Sequence, residues 1–332
     1  MPLVPGKQVL DEAVKGGYGV GAYNVNNMEQ IQAIMAAAAE TQSPVIIQAS
    51  RGALKYSNFT YLKHLMDAAV EENPGIPVCL HLDHGNSLET CKEAIALGFT
   101  SVMIDGSLKE DGKTVETYEG NVKRTRDVVD YAHSLGVSVE GELGTLGGIE
   151  DGVGSGEVHL TKPEEAIGFV EKSGVDSLAI AIGTSHGAYK FKTEPKLAFD
   201  VIEQVRAKLP GFPLVMHGSS SVPRELVDVV NKYGGDMPNA MGVPIPAIQK
   251  AIGLGVQKIN VDTDGRIAVT GAIRKVFTET PEKFDPRQYL GPAREALKEV
   301  VAGKMRDFST AGHAGDYEPM TLDDVKKIYA AN

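Results

Sequence analysis

The chain has 332 residues, 42% hydrophobic and 23% charged, with a formal net charge of −11. That is an ordinary globular composition, and its acidity argues against a broad nucleic-acid or anionic-membrane surface. Two cysteines, Cys79 and Cys91, suggest no disulfide framework. No apolar run approaches the roughly 18–20 residues of a membrane span, and Met1–Leu10 lacks a signal-peptide core, so the expectation is a cytoplasmic protein.

From the N-terminus to about residue 262, short β-branched runs alternate with longer helical patterns. Strands are expected at 19–24, 44–49, 77–82, 100–104, 137–142, 176–182, 213–217 and 256–261, and helices at 27–41, 59–72, 87–97, 115–135, 163–173, 195–208, 223–233 and 244–254. Asn27, Ser87 and Pro163 stand where helices start; Gly98, Gly136, Gly174 and Gly255 stand where they end. Near-continuous apolar strands in eight βα units predict a parallel sheet covered by helices. Eight strands also close a barrel, so the fold class is read as α/β, a (β/α)8 TIM barrel, with an open doubly wound sheet as the rival. Gly19-Val20-Gly21 is not a dinucleotide fingerprint. Residues 263–332 carry helical patterns at 265–277, 292–306 and 321–330 and no further strand, giving one barrel domain over 1–332 with a helical C-terminal extension. Two loops stand out, 105–114 and the glycine-rich 143–158; the second is long enough to be read as a moving lid.

Polar residues capable of chemistry recur at the carboxyl ends of the expected strands: Asn24, Ser50, Asp83, His84, Asp105, Glu142, His186, His217, Asn260 and Asp262. In a barrel those ends converge on the face where active sites are built. His84, His186 and His217 follow strands three, six and seven, and three neutral imidazoles leave zinc an open position for substrate. Spacing alone leaves open a set of dispersed polar strand ends. His81 shares strand parity with Asp83, whereas His84 is placed beyond the strand, so His81 is read as a supporting group. Asp83 suits acid–base work on a substrate hydroxyl, with helix capping as the structural alternative. Asp105 and Glu142 offer an alternative metal position or orient the histidines. Glu150 is either a group that swings in on lid closure or a solvated loop acid. His217-Gly218-Ser219-Ser220-Ser221, ahead of a helix start, is placed for phosphate binding after strands seven and eight, as is the segment from Asn260 to Arg266. Lys190 and Arg266 each bring a charge to that end.

Together, Ala22–Asn26, His81–Gly85, Ser101–Ser107, Glu140–Gly144 through Glu150-Asp151, Gly183–Gly187, His217–Ser220 and Asn260–Asp264 resemble class II fructose-1,6-bisphosphate aldolases over nearly the whole chain. Lys283-Phe284-Asp285-Pro286-Arg287 is similar to the subtype with a longer C-terminal part, the Calvin-cycle-like class IIB. The resemblance implies one catalytic Zn2+ on His84, His186 and His217, with Asp105 and Glu142 as its alternative position. It implies Asp83 acting on the substrate C4 hydroxyl and Glu150 as a further proton-transfer group. Asn24, Gly187, Gly218, Ser220, Asn260 and Thr263 would surround the dihydroxyacetone-phosphate half. Ser50, Asp262 and Arg266 would face the other end, with Arg287 reaching a neighbouring subunit. A monovalent cation, K+ or Na+, is implied near Gly187 and Gly218. Some relatives carry two adjacent acids in the mobile loop; here Ile149 precedes Glu150, leaving one.

The implied reaction is reversible retro-aldol cleavage of fructose 1,6-bisphosphate through an enediolate, in glycolysis and gluconeogenesis, by a homodimer or homotetramer. Partners are limited to the phosphosugar, with neither nucleic acid nor membrane. The rivals are a Schiff-base aldolase using Lys258, a tagatose-bisphosphate aldolase, a metal-dependent phosphosugar epimerase or isomerase, and a barrel kept as an interaction scaffold.

Overall fold

In the computed structural model, which describes residues 3–109, 111, 113–148, 158–189, 191 and 195–331, eight parallel strands close on themselves. They are β1 (Val20–Asn24), β2 (Val45–Ser50), β3 (Val78–Gly85), β4 (Ser101–Ile104), β5 (Ser138–Leu143), β6 (Ser177–Ile180), β7 (Leu214–Met216) and β8 (Val256–Val261). Each pairs with its sequence neighbour, and β8 returns to β1. Closure removes both sheet edges and sets aside the open-sheet rival.

Alternation along the strands divides the barrel into two environments. Outward residues such as Val45, Ile47, Val78, Leu80, Val102, Ile104, Ile259 and Val261 build the large apolar core under the helices. Gln48, His81, Asp83, Glu140, Glu142, Lys258 and Asn260 alternate with them and are buried polar groups. Such inward polar groups are costly to bury unless they are paired.

The helices after β1 to β7 are α2 (Met28–Thr41), α3 (Arg51–Ser57), α4 (Phe59–Glu72), α5 (Leu88–Ala96), α6 (Tyr118–His133), α7 (Pro163–Ser173), α8 (Phe199–Lys208), α9 (Arg224–Lys232) and α10 (Ile245–Leu254). Asn27 caps α2 as expected, accepting from Gln30 N at 3.0 Å. Helix α6 starts later than expected because Val115 bridges to Leu108 instead. Two helices went unanticipated. The first, α1 (Gly6–Gly16), precedes β1 and packs Val9, Leu10 and Ala13 against Val20, Ala22, Ile46 and Cys79 at the amino end of the barrel. The second, α3, begins directly at Ser50, whose hydroxyl accepts from Ala53 N at 3.2 Å.

Helix α11 (Thr263–Glu279) follows β8 directly and so supplies the helix of the eighth βα unit. Helix α12 (Pro286–Asp307) starts at Pro286 rather than at Pro292, with Asp285 capping Arg287 N at 2.9 Å. It packs against α2 and α11, and its Lys298 and Arg306 both reach Glu40 at 2.7 Å. Helix α13 (Leu322–Ala331) ends the described chain.

One departure from regular geometry matters most. Strand β3 runs past the expected Leu82 to Gly85, so His84 lies within it and not beyond it, with its register against β4 shifting between Leu82 and Gly85. His84 takes φ 50 at this irregularity. A regular strand would point Asp83 and His84 to opposite faces; a bulge re-aims side chains, and here both serve the mouth. Gly85 makes this possible, since a Cβ there would lie 2.5 Å from the Met103 carbonyl oxygen. Gly85→Ala is expected to destabilise the protein by about 1–3 kcal/mol in urea unfolding. Wild-type stability would show that β3 and β4 can separate freely there.

Candidate active site and metal centre

His84, His186 and His217 come from three strand ends and meet at the carboxyl mouth of the barrel. Each offers a ring nitrogen within 4.8 Å of the others, with ring centroids 5.1 Å (His84–His186), 4.8 Å (His84–His217) and 6.3 Å (His186–His217) apart. His84 Nε2 and His217 Nδ1 face each other at 3.1 Å. Gly218 follows His217 at φ 61, and a Cβ there would lie 2.6 Å from the Ser185 carbonyl oxygen. That absence of a side chain lets the loops after β6 and β7 bring His186 and His217 together.

Beneath the imidazoles lies a layer whose central member, Glu140, was given no role from sequence. Its Oε1 accepts from His217 Nε2 at 2.7 Å, and Lys258 Nζ lies 2.9 Å from its Oε2. Glu140 and Lys258 are each 1% exposed. With Nε2–H committed to Glu140, the lone pair of His217 Nδ1 points to the mouth, which is how a carboxylate fixes the tautomer of a ligating histidine. Burial, then the charges of His84 and Lys258, hold the His217 pKa well below its ordinary value, the direction that favours the neutral ring a metal ligand needs. His81 supports the same layer, as expected: Nδ1 is 2.8 Å from Ser101 Oγ and Nε2 is 3.5 Å from Glu140 Oε2. The parity of Glu140 with Glu142 along β5 was the available signal.

Carboxylates surround His84. Asp105 Oδ2 lies 3.4 Å and Glu142 Oε2 4.0 Å from His84 Nδ1. Burial disfavours charge on His84, but Asp83, Asp105 and Glu142 outweigh it and bring its pKa up to about 10. Burial, then repulsion from Asp105, pushes the Glu142 carboxyl well above its usual range. Glu142 Oε2 and His84 Nδ1 are buried without a hydrogen-bond partner among the described residues. A position that gathers acids, raises the basicity of its histidine and leaves a carboxylate oxygen unsatisfied calls for positive charge, and the imidazole-plus-carboxylate donor set suits a divalent metal.

Asp83 is held by two amides: Asn24 Nδ2 donates to Oδ2 at 2.9 Å and Asn260 Nδ2 to Oδ1 at 3.3 Å. A carboxylate only accepts, so Asn24 must turn its oxygen away, where Gln48 Nε2 donates to it at 2.7 Å. Gln48, fully buried, is marked in the sequence only by its inward parity with Ser50. Lys258 Nζ donates to Asn260 Oδ1 at 2.8 Å and fixes that amide in the same way. Burial would raise the Asp83 pKa, but His84, His217, Lys258 and Asn24 together lower it. Ser107 donates to Asp105 from its hydroxyl at 2.6 Å.

The pocket over the imidazoles is lined by Asn24, Asp83, His84, His186, Gly218, Ser220, Asn260, Asp262 and Thr263. Ser220 Oγ accepts from the backbone N–H groups of Asp262 and Thr263, both at 3.1 Å. Arg266 lies one helical turn beyond Asp262 and pairs with it at 2.6 Å. Ser50 caps α3 at the end of β2, and Gly187 follows His186 at φ 85. Arg287 is not brought to this pocket: its side chain is 89% exposed and pairs with Asp285. Glu150, Lys190 and the tip of the proposed lid lie outside the described residues. The base of that loop is tied to the site, because His186 N donates to the Gly147 carbonyl at 2.9 Å.

A closed parallel barrel with three convergent imidazoles and flanking carboxylates at its carboxyl mouth defines a metal-dependent barrel enzyme. The family model for class II fructose-bisphosphate aldolase matches residues 4–313. The chain is 59% identical to a fructose-bisphosphate aldolase of Giardia intestinalis, covering 99% of this chain and 100% of that one. It is 52% identical to a class 2 fructose-bisphosphate aldolase of Synechocystis, covering 99% and 96%. Among solved structures, the YdjI aldolase of Escherichia coli superimposes with a TM-score of 0.76 at 30% identity, over 94% of this chain and 100% of that one. The chain belongs to the class II fructose-bisphosphate aldolase family.

The Glu140 contact gives a direct test of how the site is assembled. Glu140→Gln keeps the shape but removes the charge that orients His217, and is expected to weaken divalent-metal binding about 10–100-fold in competition with a chromophoric chelator. Unchanged affinity would remove Glu140 from metal binding.

Proposed function

We propose that this chain is a lyase that reversibly cleaves fructose 1,6-bisphosphate to dihydroxyacetone phosphate and glyceraldehyde 3-phosphate in glycolysis and gluconeogenesis. The observation that carries this reading is the meeting of His84, His186 and His217 beside a carboxylate, Asp83, that two amides hold in place. His84, His186 and His217 would hold Zn2+, and Asp105 with Glu142 and His84 would offer it a second position. A divalent cation there supplies positive charge for the ketone oxygen as negative charge develops on it.

The remaining chemistry belongs to the chain. Asp83, kept ionised, takes the proton of the C4 hydroxyl. The C4–O bond then becomes the aldehyde of glyceraldehyde 3-phosphate as the C3–C4 bond breaks, and its electron pair passes to the dihydroxyacetone-phosphate half. Asn260, oriented by Lys258, and Asn24, oriented by Gln48, keep Asp83 in register and line the same pocket as that half. Gly218, Ser220 and Thr263 receive its phosphate, with Gly187 beside His186 and Lys190 as a further cation. Ser50, Asp262 and Arg266 face the glyceraldehyde-3-phosphate end. Glu150 delivers a proton to the former C3 of the bisphosphate, which took up that electron pair, and so completes dihydroxyacetone phosphate. A K+ or Na+ ion held by backbone groups near Gly187 and Gly218 completes the anion site.

The Schiff-base rival loses its nucleophile, since Lys258 Nζ is engaged by Glu140 and Asn260 below the mouth. We assign the longer C-terminal subtype, a cytoplasmic setting and a homodimer or homotetramer in which Arg287 reaches the neighbouring site. In support, the Arg287 side chain and Phe284 are both exposed, at 89% and 88%. Among the described residues no helix is long and apolar enough to cross a membrane.

Triose-phosphate release from fructose 1,6-bisphosphate is expected to stop on chelation and return with zinc, with tagatose 1,6-bisphosphate cleaved more slowly. Activity that survives complete metal removal contradicts the reading. His217→Ala is expected to lose both zinc and turnover. Asp83→Ala is expected to keep zinc by metal analysis and lose at least about 100-fold in kcat; near-wild-type turnover would remove Asp83 from proton transfer.

A further inference from the structure

Behind the loop from His217 to Val222 lies a buried ion pair that the chemistry above does not use. Asp264, at the start of α11, is 0% exposed. Its Oδ2 accepts from Ser221 N at 2.9 Å and from Ser221 Oγ at 3.1 Å, and its Oδ1 accepts from Val222 N at 2.7 Å. The counter-charge comes from helix α12 in the C-terminal extension: Lys304 Nζ lies 2.8 Å from Asp264 Oδ2 and also donates to Ser221 Oγ. Lys304 is 4% exposed.

The clamp acts on a strained piece of backbone. Val222 sits at φ 49, a region that β-branched residues almost never adopt, and such conformations persist only where the surroundings over-determine them. The two consecutive N–H groups that this conformation presents are the ones Asp264 takes. The next support is on the other side of the loop, where Val243 N donates to the Ser220 carbonyl at 3.1 Å. At the loop's far end, His217 is fixed by Glu140. Gly218 and Ser220, which line the pocket, therefore lie between two anchors.

We propose that Lys304 and Asp264 are positioning residues for phosphate binding: the pair holds Ser221 and Val222 so that Gly218 and Ser220 present a preformed anion cradle, making α12 part of the active-site machinery. This rests on the aldolase reading for its substrate but not for its ligand chemistry, which is a phosphate monoester. A buried lysine–carboxylate pair is a poor device for stability alone, since apolar replacements of similar volume often serve as well. Its use here is to fix one loop conformation.

The test uses the full-length, zinc-loaded protein and Lys304→Met, with zinc content and thermal unfolding measured on the same samples. Misplacing a binding group by about an ångström can weaken a site by up to about 100-fold. KM for fructose 1,6-bisphosphate is expected to rise about 10–100-fold with kcat within about two-fold. The inhibition constant of inorganic phosphate should rise in parallel, and Lys304→Arg should restore most of both. A folded Lys304→Met protein with wild-type KM and wild-type phosphate binding overturns the proposal, leaving the pair a purely structural one. If Lys304→Met does not fold, Ser221→Ala, which removes one hydroxyl between the two charges, is expected to raise both constants about three-fold; no change there overturns the proposal equally. Wild-type protein that cleaves no fructose 1,6-bisphosphate refutes the aldolase reading alone, because direct calorimetric binding of inorganic phosphate still reports on the clamp.

Discussion

Glu140 meets His217 at 2.7 Å and Lys258 at 2.9 Å in the interior of the barrel, and the site is built on that junction. A glutamate and a lysine buried this deeply are tolerable only when they pair and when their remaining hydrogen-bonding capacity is spent. Lys258 spends its own on Asn260, and Asn260 in turn reaches Asp83. One buried ion pair thus orients His217, the proposed metal ligand, on one side and Asp83, the proposed acid–base carboxylate, on the other. The chain of donors has a fixed direction, because an ammonium at one end can only give and a carboxylate at the other can only receive.

The second constraint is geometric. A (β/α)8 barrel delivers strand ends to one face, but period-two alternation lets only every second residue look inward. Asp83 and His84 are consecutive, and the site needs both. The irregularity of β3, with His84 at positive φ and Gly85 pressed against the Met103 carbonyl, resolves the conflict. The outward face meanwhile stays apolar and carries the helices, so the distortion is confined to the end of a strand where pairing is already finishing.

The eight strands, most helices and the convergence of three histidines were legible in the sequence, because periodicity and the placing of polar residues after apolar runs are local signals. Asp105, Glu142, Gly218, Ser220 and Thr263 also fell where expected. What was not legible depends on partners remote in the chain. Glu140 and Gln48 look like ordinary polar residues inside strands until closure aims them at His217 and Asn24. Helix α3, seven residues long, is only about two turns and carries a single cap signal at Ser50. Helix α1 precedes the first strand, so no alternation announces it. His84 was placed outside β3 because a bulge leaves no trace in composition. The clamp of Asp264 by Lys304 joins residues on two helices, and only packing reveals it.

X-ray absorption at the metal edge of the zinc-loaded protein reads directly whether three imidazoles share one divalent ion. Shared ligation gives three nitrogen scatterers at about 2.0–2.1 Å with the outer-shell pattern of imidazole rings, and loses one such ring when His186 is replaced by alanine. A first shell made only of oxygen, or one indifferent to that replacement, would contradict it.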